Sequence, residues 1–285
     1  MNLMNAIQTP AWAAGFKVVT TNCEHCRRSM AVKNIAARKV GIRMGERWYC
    51  SPRCFAAAAE QKLSELLTTR RLDQSNRGPR MPLGLSLMSR GLLTRTQLKD
   101  AMDEQKETGE EFGELVVRQG LISEEQLTAV RASMWGCAVF DVQKHILRSK
   151  ISFPSTLIRQ YSAIPLHYVE ATKLLLVGFV VGVEYGLLYA IEQVTGCKTQ
   201  ACFVTPTDFQ ARMREMEQAK DVFGDDSHRG VTFDNIQPPA EMARVLCDYG
   251  VDLEADEATI GKCKERIWAR LKCGPRDVDL IFRTV

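Results

Sequence analysis

Histidine is scarce in this chain. Its 285 residues hold four, His25, His145, His167 and His228, spaced too widely to favour a histidine-centred active site. Long apolar runs are missing as well: the longest, Leu174 to Val183, is ten residues, too short to span a bilayer. Residues 1 to 17 lack the basic start and apolar core of a secretory signal. Among catalytic signatures there is no G-x-G-x-x-G, no G-x-S-x-G, no H-E-x-x-H and no G-x-x-x-x-G-K-S/T phosphate loop. These absences set the expectation of a cytoplasmic protein that is not an enzyme and has no transmembrane segment. A reducing compartment suits its free cysteines, of which six (Cys137, Cys197, Cys202, Cys247, Cys263 and Cys273) are scattered and read as small buried hydrophobes.

The other four cysteines are paired in sequence. Cys23-Glu24-His25-Cys26 and Cys50-Ser51-Pro52-Arg53-Cys54 give C-x2-C and C-x3-C, the spacing of metal ligands, and four thiolates suit a tetrahedral Zn2+. The plainer alternative is four unpaired core cysteines. Ser51 reads as an N-cap and Pro52 as the first residue of a helix, the element expected to carry the last two ligands. A knuckle, a β-hairpin around Gly41 to Trp48 and that helix describe a treble clef. His25 is expected to stay out of the shell, which four thiolates complete. Residues 1–80 hold 14 Lys and Arg against 5 Asp and Glu, net +9, and residues 81–285 hold 24 against 29, net −5. The basic side chains Arg27, Arg28, Lys33, Arg38, Lys39, Arg43, Arg47 and Arg53 suit an acidic protein face, nucleic acid or anionic headgroups, or serve only as solvating charge.

The most informative feature is an internal repeat. Leu83/Phe112, Gly84/Gly113, Leu87/Val116, Gly91/Gly120, Leu92/Leu121, Leu93/Ile122, Thr94/Ser123, Gln97/Gln126 and Leu98/Leu127 all pair at one 29-residue offset without a gap. In each copy the apolar residues before the second glycine fall at helical spacing. That glycine fits the left-handed position ending a helix, and Thr94-x-x-Gln97 or Ser123-x-x-Gln126 reads as a capping box opening the next. Each copy is therefore a helix, a tight turn and a helix. Two copies give four short helices that must share a core, because one helical hairpin cannot bury its own apolar face.

The stretch Pro82 to Gln105, P-L-G-x-x-L-x-x-x-G-x-L-x-x-x-x-L-x-x-x-M-x-x-Q, resembles the 24-residue motif of MshEN domains, the N-terminal domains of type II secretion and type IV pilus ATPases. That family carries two such motifs with a five-residue spacer; here the spacer is Lys106 to Glu110 and the second copy Glu111 to Met134. The run Ala163-Ile-Pro-Leu-His-Tyr, strand-like Leu174 to Phe179, a helix ending at Thr195-Gly196, a strand Thr199 to Val204 and a helix from Pro206 resemble the domain's small α/β half. The resemblance implies that one molecule of cyclic di-GMP binds across the two copies. Its contacts would be Leu83, Gly84, Leu87, Gly91, Leu93, Leu98 and Gln105 in copy one, with Phe112, Gly113, Val116, Gly120, Ile122 and Leu127 in copy two. Helix N-termini are able to hold its phosphates. The zinc segment Trp48 to Cys54 resembles FCS-type and TRASH-like fingers, which carry Y/F-C-S-x-x-C.

Copy two departs from the motif. The family's opening arginine is Pro82 in copy one and Glu111 in copy two, a leucine position is Arg131, and the closing glutamine, kept as Gln105, becomes Met134. Glu111 would set a carboxylate beside phosphate unless it points away. Arg80, Arg90 and Arg95 stand near enough in sequence to compensate or merely to be solvated.

Polar, turn-rich linkers are expected at Arg70 to Arg80 and Lys220 to Pro239. Beyond the second, Ala240 to Tyr249 reads as a helix, and Ala258 to Cys263, Arg266 to Lys272 and Val278 to Arg283 as a meander with one face on that helix. The fold class expected is thus α+β and multidomain. It comprises a zinc treble clef (1–69), an MshEN-like domain (81–217: tandem helical repeat 81–135, α/β half 136–217) and a C-terminal αβββ module (238–285). Three functions remain open: a cyclic di-GMP receptor or adaptor without an ATPase engine, since no phosphate loop occurs before the chain ends; a ligand-free scaffold contacting a protein partner; and a zinc-dependent nucleic-acid-binding regulator. Five glutamates in and around copy two (Glu110, Glu111, Glu114, Glu124 and Glu125) oppose reading its helix pair as DNA-binding.

Overall fold

The computed structural model describes residues 20–31, 41–68, 81–142, 151, 153–223, 228–234, 238–274 and 276–284. The expected linker Arg70 to Arg80, the N-terminal residues 1–17, His145 and the side chains Lys33, Arg38, Lys39 and Arg80 lie outside them. Among the described residues the fold is mixed α/β, with three sheets. No described helix is long and apolar enough to cross a membrane.

The repeat forms as its glycines and caps require. Helices α2 (Leu83–Ser89) and α3 (Arg95–Thr108) make copy one, α4 (Phe112–Arg118) and α5 (Glu124–Trp135) copy two. Both capping boxes are present, each with the Thr94 or Ser123 side chain and the third-residue glutamine bonding reciprocally. Gly91 and Gly120 take φ 70° and 69°, and after them Leu92 N donates to Leu87 O and Leu121 N to Val116 O, both at 3.0 Å. The backbone closes identically in both copies because the same residue stands at the left-handed position. Leu87, Leu93, Leu98 and Ala101 meet Phe112, Leu115, Val116, Ile122, Leu127 and Val130 in one core.

The α/β half follows. Strand β5 (Ala138–Val139), α6 (Ser155–Tyr161), β6 (Ala163–Val169), β7 (Leu174–Phe179), α7 (Tyr185–Thr195), β8 (Lys198–Phe203) and α8 (Pro206–Phe223) build a four-stranded sheet of order β5-β8-β7-β6.

At the N-terminal end, β1 (Thr20–Asn22) and β2 (Ser29–Ala31) pair around the first two cysteines. Strands β3 (Ile42–Met44) and β4 (Arg47–Tyr49) lead into α1 (Pro52–Thr68). This hairpin does not stand alone. It forms one edge of a six-stranded sheet, β4-β3-β10-β11-β12-β9, with the C-terminal strands β10 (Glu257–Cys263), β11 (Arg266–Cys273) and β12 (Arg276–Arg283). The far edge is β9 (His228–Phe233), parallel to β12 and inside the stretch expected to be linker. Helix α9 (Pro239–Asp252) lies beside α1, and one core joins Phe55, Ala59 and Leu63 to Met242, Leu246, Ile267 and Phe282. Segments 1–69 and 238–285 are therefore not the two separate modules expected: the strand pairing and this core run through the described residues of both.

The meander was expected to cover one face only. Its second face is covered too, by α7, so Arg270 and Asp279, which alternation assigns to water, are 4% and 2% exposed. They satisfy each other: Arg270 donates to Asp279 at 2.8 and 2.9 Å, and Trp268 Nε1 donates to Asp279 Oδ1 at 2.8 Å.

A Cβ at Gly91 or Gly120 would meet nothing within 4 Å, so substitution there acts through backbone strain alone. Gly120→Val is expected to cost about 1–2 kcal/mol. Urea unfolding that shows no loss for either glycine would contradict the left-handed turns.

Candidate functional site

Two sites emerge, a cysteine cluster and the face of the repeat. In the first, the Sγ atoms of Cys23, Cys26, Cys50 and Cys54 all lie within 4.8 Å of one another, with Cys26 to Cys50 at 3.5 Å and Cys50 to Cys54 at 3.9 Å. Sulfurs bound tetrahedrally to an ion at about 2.3 Å would stand about 3.8 Å apart, so the four positions fit one metal ion. The backbone builds this arrangement. Arg27 takes φ 61° in the knuckle, its N–H donates to Cys23 O at 2.9 Å, and Glu24 N donates to Trp48 O at 3.0 Å, tying the knuckle to β4. Ser51 accepts from Cys54 N at 3.3 Å as the cap of α1.

The thiols are electrostatically unequal. Burial works against the Cys23 thiolate, but the backbone N–H groups of Cys26, Cys50 and His25 outweigh it and bring Cys23 down to about 6. Burial, and the hydrogen bonds its thiol makes to the neighbouring sulfurs of Cys26, Cys23 and Cys54, push Cys50 up to about 12. His25 is exposed beside the cluster. Elsewhere burial, with a smaller contribution from the nearby Cys137, takes Cys202 up to about 12, as suits an inert core thiol.

In the second site the expected contact residues divide by burial. Leu87, Leu93, Leu98, Phe112, Val116, Ile122 and Leu127 are interior, none more than 9% exposed. Leu83, Gly84 and Gln105 are half-buried, Gly113 is buried, and Gly91 and Gly120 are exposed. A Cβ on Gly84 would come 2.5 Å from Leu98 Cδ1 and 3.3 Å from Phe112, so this glycine admits the packing of α2 on the shared core. Gln105 is already engaged, donating through Nε2 to Glu110 O at 3.1 Å across the spacer. Arg90 donates to Ser133 Oγ at 2.7 Å, joining the end of α2 to α5.

Copy two contains an arrangement that sequence reading missed. Arg131, 5% exposed, pairs with Glu111 at 2.8 Å and donates to Val180 O at 3.3 Å. Its guanidinium lies over Gly113, where any Cβ would collide with it. The two departures from the motif are therefore one compensated change, in which a buried cation takes the carboxylate that replaced arginine. The available signal was their joint occurrence in a single copy. A further tie is Glu124, which accepts from Thr207 N at 3.2 Å and Thr207 Oγ1 at 2.7 Å, capping α8 from the repeat. Beside it lies a cleft of about 610 Å³ lined by Glu124, Glu125, Asp141, Asp208, Val139 and Phe140 among others.

No family model matches the chain. The type IV pilus assembly ATPase PilB of Thermus thermophilus is 25% identical over 129 residues, 45% of this chain; the chain spans 14% of that relative's length. Among solved structures, MshE with cyclic di-GMP has a TM-score of 0.41 at 19% identity, covering 48% of this chain and 99% of that one. The N-terminal domain of XpsE has a TM-score of 0.36 at 16% identity, covering 50% and 95%. Over about half of its length this chain is similar to these proteins.

Glu111→Arg, which restores the motif residue, is expected to destabilise this fold because it leaves buried Arg131 facing a like charge. Breaking a fully buried pair costs about 3–5 kcal/mol; with Glu111 39% exposed the expected loss is about 2 kcal/mol. Adding Arg131→Leu should recover most of it. A double-mutant cycle by urea unfolding with no coupling between the two positions would exclude the pair as a determinant.

Proposed function

We propose that this chain is a non-catalytic cytoplasmic adaptor of a secretion or pilus type system, a zinc-binding relative of the ATPase N-terminal domains that acts through protein contacts. The observation carrying this reading is the Glu111–Arg131 pair over Gly113, which fills copy two from within, while copy one has Pro82 in place of its arginine. The open surface of copy one suits a protein partner. Met81, Leu85 and Met102 are 54%, 43% and 47% exposed, whereas the same repeat positions in copy two are Glu110, Glu114 and Arg131. The competing reading, a cyclic di-GMP receptor, has the glycine and apolar frame of both copies in its favour. Nucleic-acid binding by the N-terminal segment is the third reading. Of its basic side chains within the described residues, Arg27 pairs with Glu24, and Arg43 with Glu257.

Calorimetric titration separates the first two. The natural chain is expected to show no saturable heat with cyclic di-GMP up to millimolar nucleotide. The variant carrying Pro82→Arg, Glu111→Arg and Arg131→Leu is expected to gain binding, each charge-assisted hydrogen bond adding about 1.5–3 kcal/mol. Saturable micromolar binding by the natural chain would replace the adaptor reading with the receptor.

The four thiolates are assigned to one structural Zn2+ per chain, a set that suits zinc and closes its coordination. Such sites contribute about 10–16 kcal/mol of apparent binding free energy to their fold. Elemental analysis of protein purified without added metal should find one equivalent. A content well below one, with Cys23, Cys26, Cys50 and Cys54 all freely alkylated, would remove zinc from the account.

A further inference from the structure

The cysteine cluster sits at a seam between the two ends of the chain. Cys50 directly follows β4 and Cys54 lies in the first turn of α1, so both elements leave the cluster already oriented. Each then docks on the C-terminal segment. Strand β3 pairs parallel with β10, Arg43 opposite Glu257 and Met44 opposite Ala258, and Arg43 N donates to Asp256 O at 3.0 Å. Helix α1 lies on α9, where Cys247 Sγ donates to Pro52 O at 3.3 Å, and its end is held by β10, whose Lys262 Nζ donates to Leu66 O at 2.9 Å. Between them, a Cβ on Gly250 of α9 would come 3.0 Å from Ile42 Cδ1.

From this geometry we infer that metal at the four cysteines is the clamp that holds the C-terminal αβββ segment folded, so that metal occupancy controls a sheet whose other face carries the MshEN-like half. The inference rests on the zinc reading above. Strands β1 to β4 are three residues each and make almost no core of their own, so without the ion little fixes β3 and α1 in the orientation that docks them. Their release would uncover Met242, Leu246, Ile260 and Leu271, all buried in the shared core. It would also free one edge of the sheet that meets α7, where Thr259 Oγ1 donates to Val194 O at 2.9 Å and Lys264 pairs with Glu184 at 2.5 Å. The two-state element is the docked or undocked β3–β4–α1 unit, and both the metal and the C-terminal core bias it toward docking. Linkage then requires the effect to be reciprocal: loosening the seam must weaken metal binding.

Hydrogen exchange on the full chain tests this, comparing protein as purified, after chelation, and after Zn2+ is returned. Protection of residues 257–283 and of α9 is expected to fall tenfold or more on chelation and to return with zinc, while the repeat, 83–135, keeps its protection. Loss confined to 20–54 would overturn the inference with the zinc reading intact. Protein that holds no metal as purified would overturn both, through the zinc reading. The reciprocal arm uses Gly250→Leu, or Gly250→Ala should the larger side chain prevent folding; neither touches a cysteine. Competition against a chromophoric chelator should show zinc affinity weakened at least fivefold, within the range of coupled sites. Unchanged affinity in a folded variant would overturn the clamp.

Discussion

Helix α7 is buried from two sides, and the arrangement of the whole chain depends on it. Leu187, Leu188, Ala190, Ile191 and Val194 are all interior. The helix packs on β8 of its own four-stranded sheet and on β10 of the six-stranded sheet, so one core contains both Phe179 and Phe203 from the first and Trp268 and Ile281 from the second. A helix apolar on two of its faces has to be covered on both. That requirement places the six-stranded sheet against the α/β half. On the sheet face that covers α7, Arg270 and Asp279 are admitted inside as a mutually satisfied pair, with Trp268 Nε1 completing the carboxylate.

The two repeat copies show how one helical frame diverges without losing its packing. The residues that fix backbone geometry, Gly91 and Gly120 with their capping boxes, behave identically. The residues that face outward do not. Copy one leaves methionine and leucine in solvent, whereas copy two turns an arginine inward and neutralises it locally. Arg131 also reaches Val180 O, so the same guanidinium fixes copy two to the loop after β7. Glu124 makes a second tie through Thr207. Two polar contacts thus join the second helical pair to the α/β half, one from each end of α5.

Local signals made much of this legible in sequence. Capping boxes, left-handed glycines and the period of the repeat specify their helices within a few residues, and alternation found β10, β11 and β12. The spacing of Cys23, Cys26, Cys50 and Cys54 named residues that the fold brings together, because a knuckle and a helix start are local devices. Long-range pairing was not legible. Strand β3 is three residues long, too short to announce a partner, and β9 lies in a polar stretch whose strand character comes from β12 beside it. Burial of Arg270 and Asp279 was hidden for a related reason: a strand covered on both faces still alternates when its polar residues pair with each other.

Closing the ends of the chain into one sheet carries an entropic cost that length increases only slowly. Contacts such as Cys247 to Pro52 span 195 residues, yet each doubling of a loop adds only about 0.6 kcal/mol. Within that span the repeat has a core of its own and the α/β half supplies most of another, which shortens the free chain left to order. The burden falls instead on the small elements that must meet, β3, β4 and the start of α1. They bury Ile42, Trp48 and Phe55 but have few neighbours from their own segment. A cross-link at their base is the economical way to order them before they dock, and the metal proposed at the four converging sulfurs would supply one where there is no disulfide among the described residues. A metal there would act on both elements at once, because Cys50 follows β4 directly and Cys54 lies in the first turn of α1.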